Sequence, residues 1–241
     1  MDKKIAYAFD VDGTLTPSRG IIDKEFKKYF LEFCKNNKVF LITGSNHEKT
    51  IEQVGIEIWK NTTANLQSCG NHIFVSQNEV YRNEWTPNEK LIALLEQFLK
   101  ISKWRKQTSN HIERRTGLVN FSVVGRDCTQ EQRNEYGEWD DINNERKDMA
   151  AIINESFPEL EASVGGQISI DIHPKGANKS QAKDWILEKF DIDCIYFYGD
   201  KLQPGGNDYD LAKVLQPPHK SFEVKDWKDT YRLLQKEMPL K

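Results

Sequence analysis

The stretch Ala8-Phe9-Asp10-Val11-Asp12-Gly13-Thr14-Leu15-Thr16, AFDVDGTLT, decides how the rest of the chain is read. It continues the apolar run Ile5-Ala6-Tyr7 without a break, then turns abruptly to two aspartates one residue apart and a glycine. A short continuous apolar run of this kind suits a strand buried on both faces, as in a parallel sheet. Its polar tip then lies beyond the carboxyl end of the strand, where open α/β sheets bind ligands. Two further runs share the grammar: KVFLITGS at Lys38 to Ser45 and CIYFYGD at Cys194 to Asp200. Between the first two, Phe26, Tyr29, Phe30 and Phe33 recur at helical spacing, predicting a crossover helix from its cap Asp23 to Asn36. Ser45-x-x-Glu48 reads as a capping box opening a second helix that Gly55 closes, and Asn178 as the cap of a later one through KSQAKDWILEKF. Strands alternating with helices predict an α/β fold with a Rossmann-like parallel-sheet core.

The middle of the chain has a different pattern. Thr86-Pro87-Asn88-Glu89 caps a helix whose apolar face includes Leu91, Leu94, Leu95 and Phe98; Thr129-x-x-Gln132 opens another, and NERKDMAAIINESF forms a third. GLVNFSVVG at Gly117 to Gly125 and GGQISIDIHP at Gly165 to Pro174 alternate apolar with polar, as antiparallel strands with one open face do. The expected organisation is an α+β insertion, residues 84–175, in an α/β core made of residues 1–83 and 176–241.

Composition narrows the function classes. The 241 residues are 38% hydrophobic, enough for real cores. Thirty-four Lys and Arg against 37 Asp and Glu give a net charge of −3, so no basic excess points to nucleic acid or to an anionic membrane. Any anion site must be local. Cys34, Cys69, Cys128 and Cys194 show no C-x-x-C spacing, which argues against a zinc site or a disulfide framework and for a reducing, cytoplasmic setting. No apolar run approaches the ~18 residues of a membrane span, and Ile5 to Phe9 is too short for a signal-peptide core.

The paired aspartates suggest a chemistry. If Asp10 at a strand tip attacks phosphorus it becomes an aspartyl phosphate, and the attack needs a cation such as magnesium to offset repulsion between carboxylate and phosphoryl oxygens. The two need not both coordinate the ion through carboxylates: one can bind and attack while the other moves protons. Gly13 permits close backbone approach, and Thr14 offers a hydroxyl. A bare D-x-D more often describes a strand end with solvated acids, so three further clusters carry the decision. Thr43-Gly44-Ser45 ends one strand and opens a helix, supplying hydroxyls and free N–H groups for phosphate. Lys179 is predicted in the first turn of its helix, where a cation opposes the helix dipole unless an anion shares the site. Asp200 and Asp208, around the glycine-rich YGDKLQPGGND, offer the further acids that a magnesium site needs.

In this order the four clusters resemble the haloacid-dehalogenase superfamily of phosphotransferases. FDVDGTLTPSR, GRDCTQEQR, GGQISIDIHPKGANK and YFYGDKLQPGGND are, further, similar to signature blocks of the eukaryotic-type phosphomannomutases, which implies that residues 1–83 and 176–241 are the catalytic core and residues 84–175 its substrate-specificity cap. The resemblance implies Asp10 as nucleophile and magnesium ligand, Asp12 as general acid/base and backbone ligand, Asp200 as a carboxylate ligand and Asp208 as a supporting metal-site acid. It implies Lys179 as the cation that neutralises the aspartyl phosphate, and a hydroxyl from Thr43 or Ser45, where the family usually has G-G-S, as its companion. For substrate it implies Arg19 on the core, and Arg115, Arg126, Arg133, Ser169 and Asp171 on the cap. Arg114 and Arg146 are read as solvated.

The implied activity interconverts mannose 6-phosphate and mannose 1-phosphate, with hexose 1,6-bisphosphate as activator. The implied assembly is a homodimer through the cap, for which apolar groups on the Leu91 to Phe98 helix would supply surface. Two alternatives stay open: a sugar-phosphate phosphatase of the same superfamily, and a non-catalytic sugar-phosphate-binding protein, against which the intact Asp10, Asp12, Lys179 and Asp200 argue. The chain departs from the family between Gly55 and Arg82, where only Gly70-Asn71 echoes the usual E-N-G. It departs again after Leu211, where no loop for a second, structural cation is evident.

Overall fold

A computed structural model describes residues 3–18 and 20–237. The chain divides into two units, the first being Met1–Arg82 with Ala177–Lys241 and the second Asn83–Gly176. The first unit opens with β1 (Ile5–Phe9), α1 (Lys24–Asn36), β2 (Lys38–Ile42), α2 (His47–Val54), α3 (Ile56–Asn61), β3 (Ala64–Gln67), β4 (His72–Val75) and β5 (Asn78–Arg82). The second holds α4 (Glu89–Ile101), β6 (Ile112–Arg115), β7 (Leu118–Phe121), α5 (Gln130–Asn143), α6 (Glu145–Ser156), β8 (Leu160–Gly165) and β9 (Ser169–Pro174). The chain returns to the first unit with α7 (Gln181–Lys189), β10 (Cys194–Gly199), α8 (Tyr209–Val214), β11 (Lys220–Glu223) and α9 (Trp227–Glu237).

Seven strands of the first unit form one sheet in the order β11-β10-β1-β2-β3-β4-β5, parallel from β11 to β3 and antiparallel from β3 to β5. The continuous apolar runs have the predicted cause. Tyr7 and Phe9 of β1 join a core with Phe26, Phe30 and Phe33 of α1, Val54 of α2, Ile58 of α3 and Leu234 of α9. Ala6 and Ala8 point to the other core, with Ala182 and Ile186 of α7 and Leu211 of α8. A strand covered on both faces has no position at which a polar residue is favoured. Asp23 caps α1 as its spacing predicts, accepting from the N–H groups of Glu25 and Phe26. Each fully buried phenylalanine of α1 contributes about 1.5–3 kcal/mol of hydrophobic stabilisation.

Two helix starts differ from the sequence reading. Asn46, not Ser45, caps α2 through its bond from the Lys49 N–H. Ser45 is committed to the preceding loop, where its N–H donates to Thr43 Oγ1 at 3.1 Å and its carbonyl accepts from Ser68 N at 2.9 Å. Ahead of α7 the cap position belongs to Ser180, and Asn178 instead closes a turn by accepting from both the N–H and the hydroxyl of Ser180. Lys179 therefore sits in that turn rather than in the first turn of the helix. Gly55 does end α2, with φ at +85° and its N–H on the Ile51 carbonyl, and α3 follows at once.

In the second unit β6-β7-β9-β8 form an antiparallel sheet. Val119, Phe121, Ile170 and Ile172 line one face and pack with Leu91, Leu95 and Phe98 of α4, Tyr136 of α5 and Ile153 of α6. The expectation that the α4 face is exposed for pairing is thus corrected: Leu91, Leu95 and Phe98 are buried in this unit's own core, with Leu94 packed against it. Arg146 is corrected too. It is buried, with Nε donating to Asp140 Oδ2 at 2.7 Å and Nη1 to the Gly166 carbonyl at 3.0 Å, whereas Arg114 is exposed as read. No helix among the described residues is long and apolar enough to cross a membrane.

Candidate active site

Asp10, Thr43 and Asp200 each follow the last residue of one of three parallel strands, β1, β2 and β10, with β1 in the middle. The Asp10 N–H continues the ladder onto the Tyr198 carbonyl at 2.9 Å, and the Thr43 N–H onto Leu66 at 3.0 Å, so both tips are fixed by backbone. Into this row reaches Lys179, whose Nζ donates to Asp10 Oδ1 at 2.5 Å and to Asp208 Oδ1 at 2.6 Å. All three side chains are buried. Carboxylate oxygens of Asp10, Asp200 and Asp208 lie within 4.8 Å of one another.

The Lys179 ammonium is thus shared by Asp10 and Asp208, while Asp200 stands beside them with Lys201 as its principal cationic neighbour. Burial pushes the Asp10 carboxyl up to about 7 despite the pull of Lys179, and Asp208 and Asp200 add their repulsion. Asp200 is raised as well, mainly by burial. Burial alone would lower Lys179, but the charges of Asp10 and Asp208 hold it above the ordinary lysine range. Asp10 Oδ2, Asp200 Oδ1 and Thr14 Oγ1 are buried with no hydrogen-bond partner among the described residues. Surplus negative charge and orphaned carboxylate oxygens fit a hard divalent cation, which takes oxygen ligands. Gly13 makes room for this arrangement: its φ is +83°, and a Cβ there would run into the Asp200 carboxylate.

Asp12 stands apart from the acidic cluster, half-buried, with Oδ1 accepting from Gln53 Nε2 at 2.7 Å. Thr43 is buried and its hydroxyl accepts from the Ser45 N–H, while Ser45 is half-buried. The loop Ser68-Cys69-Gly70-Asn71 braces both sides of the site. The Cys69 N–H bonds the Thr43 carbonyl at 2.8 Å, and Asn71 Nδ2 donates to the Ala177 carbonyl at 2.9 Å, two residues before Lys179. Arg19 lies outside the described residues.

The polar face of the second unit's sheet gathers another set. Glu113, Asn120 and Asp171 are cross-strand neighbours on β6, β7 and β9. Arg115 forks onto the two Glu113 oxygens at 3.0 and 2.8 Å, and Arg126 Nε reaches Glu113 Oε2 at 3.0 Å. Burial alone would raise the Glu113 carboxyl, yet the two arginines hold it below the ordinary range. Arg126 Nη1 also donates to Ser169 Oγ at 3.1 Å, and Asn120 Nδ2 to Asp171 Oδ1 at 2.6 Å. Arg133, on α5, is buried with Nη2 on the Arg126 carbonyl at 3.4 Å. Gly165 stands beside Asp171, whose carboxylate a Cβ there would strike.

Comparison with known proteins gives this geometry a family. The profile of eukaryotic phosphomannomutase matches residues 26–239. The chain belongs to the eukaryotic phosphomannomutase family. A phosphomannomutase of Drosophila melanogaster is 31% identical over 241 residues, spanning 96% of this chain and 94% of its own. That of Saccharomyces cerevisiae is 30% identical, spanning 84% and 83%. Among solved structures, a haloacid dehalogenase-like hydrolase from Bacteroides thetaiotaomicron is similar with a TM-score of 0.64 at 12% identity, over 98% of this chain and 100% of its own. Trehalose-6-phosphate phosphatase from Aspergillus fumigatus gives 0.62 at 15% identity, over 97% and 92%. At these identities the likeness shows a shared fold.

Within this phosphomannomutase framework the sequence reading missed Gln53 and Glu113. Gln53 carried a signal, since Thr50, Gln53 and Val54 recur at helical spacing and all three are buried, which makes a glutamine at a core position conspicuous. Glu113 carried none, because Ile112-Glu113-Arg114-Arg115 reads locally as a charged strand.

Proposed function

We propose that this protein is a phosphomannomutase that interconverts mannose 6-phosphate and mannose 1-phosphate through an aspartyl phosphate on Asp10. The observation that carries the reading is the extent of the family match, which runs through both units rather than through the core alone. The buried acid and lysine cluster at the strand tips supports it.

In the proposed reaction a carboxylate oxygen of Asp10 attacks phosphorus of a hexose 1,6-bisphosphate, and the bond from phosphorus to the sugar oxygen breaks. Asp12 gives that oxygen a proton. That monophosphate is exchanged for its isomer, whose free hydroxyl gives its proton to Asp12 as its oxygen attacks phosphorus and the bond to Asp10 breaks; the bisphosphate so formed then reacts through its other phosphate. Lys179 holds Asp10 in place and offsets the charge gathered there, and the Thr43 or Ser45 hydroxyl with nearby backbone N–H groups receives phosphoryl oxygens. Asp10, Asp200 and the Asp12 backbone would hold a magnesium ion, with Asp208 supporting. Bound there, magnesium supplies electrostatic shielding between the carboxylate and the incoming phosphate.

Arg19, Arg115, Arg126 and Arg133 are assigned to substrate phosphate, and Ser169 and Asp171 to sugar hydroxyls. Guanidinium forks suit phosphate, and the glutamate that now engages two of the cap arginines keeps them ordered. A homodimer through the cap and a cytoplasmic location complete the proposal.

The test is to incubate the protein with mannose 1-phosphate, magnesium and catalytic hexose 1,6-bisphosphate, and to assay mannose 6-phosphate and free phosphate together. Isomerisation outpacing phosphate release is expected. Faster phosphate release would replace the mutase with a sugar-phosphate phosphatase.

A further inference from the structure

Gln53 is completely buried on α2, the helix that starts just after the Thr43-Gly44-Ser45 loop. Its Nε2 donates to Asp12 Oδ1 at 2.7 Å and lies 3.3 Å from Thr16 Oγ1. Asp12 and Thr16 are the two ends of a tight loop closed by a bridge between them and by the Gly13 N–H on the Thr16 carbonyl at 2.9 Å. One amide thus ties both ends of the catalytic loop to the helix behind it. The backbone of Gln53 is pinned in turn, its carbonyl accepting from Ile22 N at 2.9 Å.

Packing alone does not account for a glutamine here. Its Oε1 is buried without a hydrogen-bond partner among the described residues, a cost that an unbranched apolar side chain of the same length would avoid. What glutamine supplies and methionine cannot is the N–H aimed at Asp12. We propose that Gln53 is a positioning residue for proton transfer: by donating to Oδ1 from a helix that is itself pinned, it fixes the orientation in which the Asp12 carboxylate meets the sugar oxygen. The inference rests on the assignment of Asp12 as the general acid/base.

Leaving-group dependence separates positioning from structure. A sugar oxygen needs a proton to leave, whereas p-nitrophenolate leaves without one. Wild type, Gln53→Met and Gln53→Asn are compared in steady-state turnover of mannose 1-phosphate and in burst release of p-nitrophenolate from p-nitrophenyl phosphate. Methionine keeps the length without the donor; asparagine keeps the amide but is too short to span the contact, and it decides the matter if the methionine variant does not fold. Turnover of the sugar phosphate is expected to fall by about 10²-fold with KM little changed, while the aryl burst falls far less. Equal losses on both substrates, or no loss on either, overturn the inference. Failure of the mutase reading would show instead in the wild type, and the same ratio taken on sugar-phosphate hydrolysis would still decide the role of Gln53.

Discussion

Replacing Asp10 with asparagine is expected to do two opposite things: to abolish turnover, and to stabilise the metal-free fold. The second effect follows from the position of Asp10 among Asp208, Asp200 and a single lysine. Burial moves its carboxyl from the ordinary 3.8 to about 7. Between those values the folded chain keeps a proton that the unfolded chain has released, so rising pH draws the equilibrium toward the unfolded state. The native advantage is complete below about pH 4 and gone above about pH 7, and at about 1.4 kcal/mol per pH unit the difference amounts to about 4 kcal/mol.

Asparagine has the same shape, leaves Lys179 paired with Asp208, and does not titrate. In EDTA, denaturant unfolding should show Asp10→Asn gaining on wild type as pH rises from about 5 to about 8, by up to about 2.7 kcal/mol, the part of the difference that lies above pH 5. Saturating magnesium should close the gap from the wild-type side. A ligand at a hundredfold excess over its dissociation constant stabilises by about 2.7 kcal/mol, and the variant, lacking one carboxylate, should gain less. Parallel stabilities of the two proteins across this pH range in EDTA would refute the charge argument, and an equal response to magnesium would remove Asp10 from the cation site.

Three other outcomes are expected. Asp12→Asn should slow isomerisation by about 10²–10⁴-fold in both directions, measured from mannose 1-phosphate and from mannose 6-phosphate, because one group serves both half-reactions. Arg126→Ala should cost isomerisation far more than hydrolysis of a small phosphate ester, since only the sugar bisphosphate has a distal phosphate to grip; the ratio of the two rates is the measurement. Arg146→Met should lower the unfolding free energy by about 3–5 kcal/mol by leaving Asp140 buried without its partner, and adding Asp140→Leu should recover much of that loss in the same denaturation assay.

The sequence by itself determined the parallel core and its polar edge. KIAYAFD, KVFLITGS and CIYFYGD are apolar throughout because helices cover both faces of the sheet, and each run stops where the strand leaves that cover. Alternation in GGQISIDIHP likewise announced a sheet with one polar face, since β9 sends Ile170 and Ile172 into the core and Ser169 and Asp171 the other way. Short, partly polar strands such as Asn78–Arg82, exposed along their whole length, carried no such pattern and went unread. The roles proposed for Lys179 and for the arginines of the second unit came from resemblance, because a lysine or an arginine in isolation looks the same whether solvated or functional.

Only the tertiary structure decided which charges meet. Lys179 joins Asp10 across 169 residues, Gln53 joins Asp12 across 41, and Arg146 turns inward to Asp140 instead of outward to water. Local periodicity tells which face of an element a residue occupies. It does not carry the register and the turn geometry that bring two distant side chains within hydrogen-bond distance, and in a buried site those distances decide which groups are paired and which oxygens are left to bind or react.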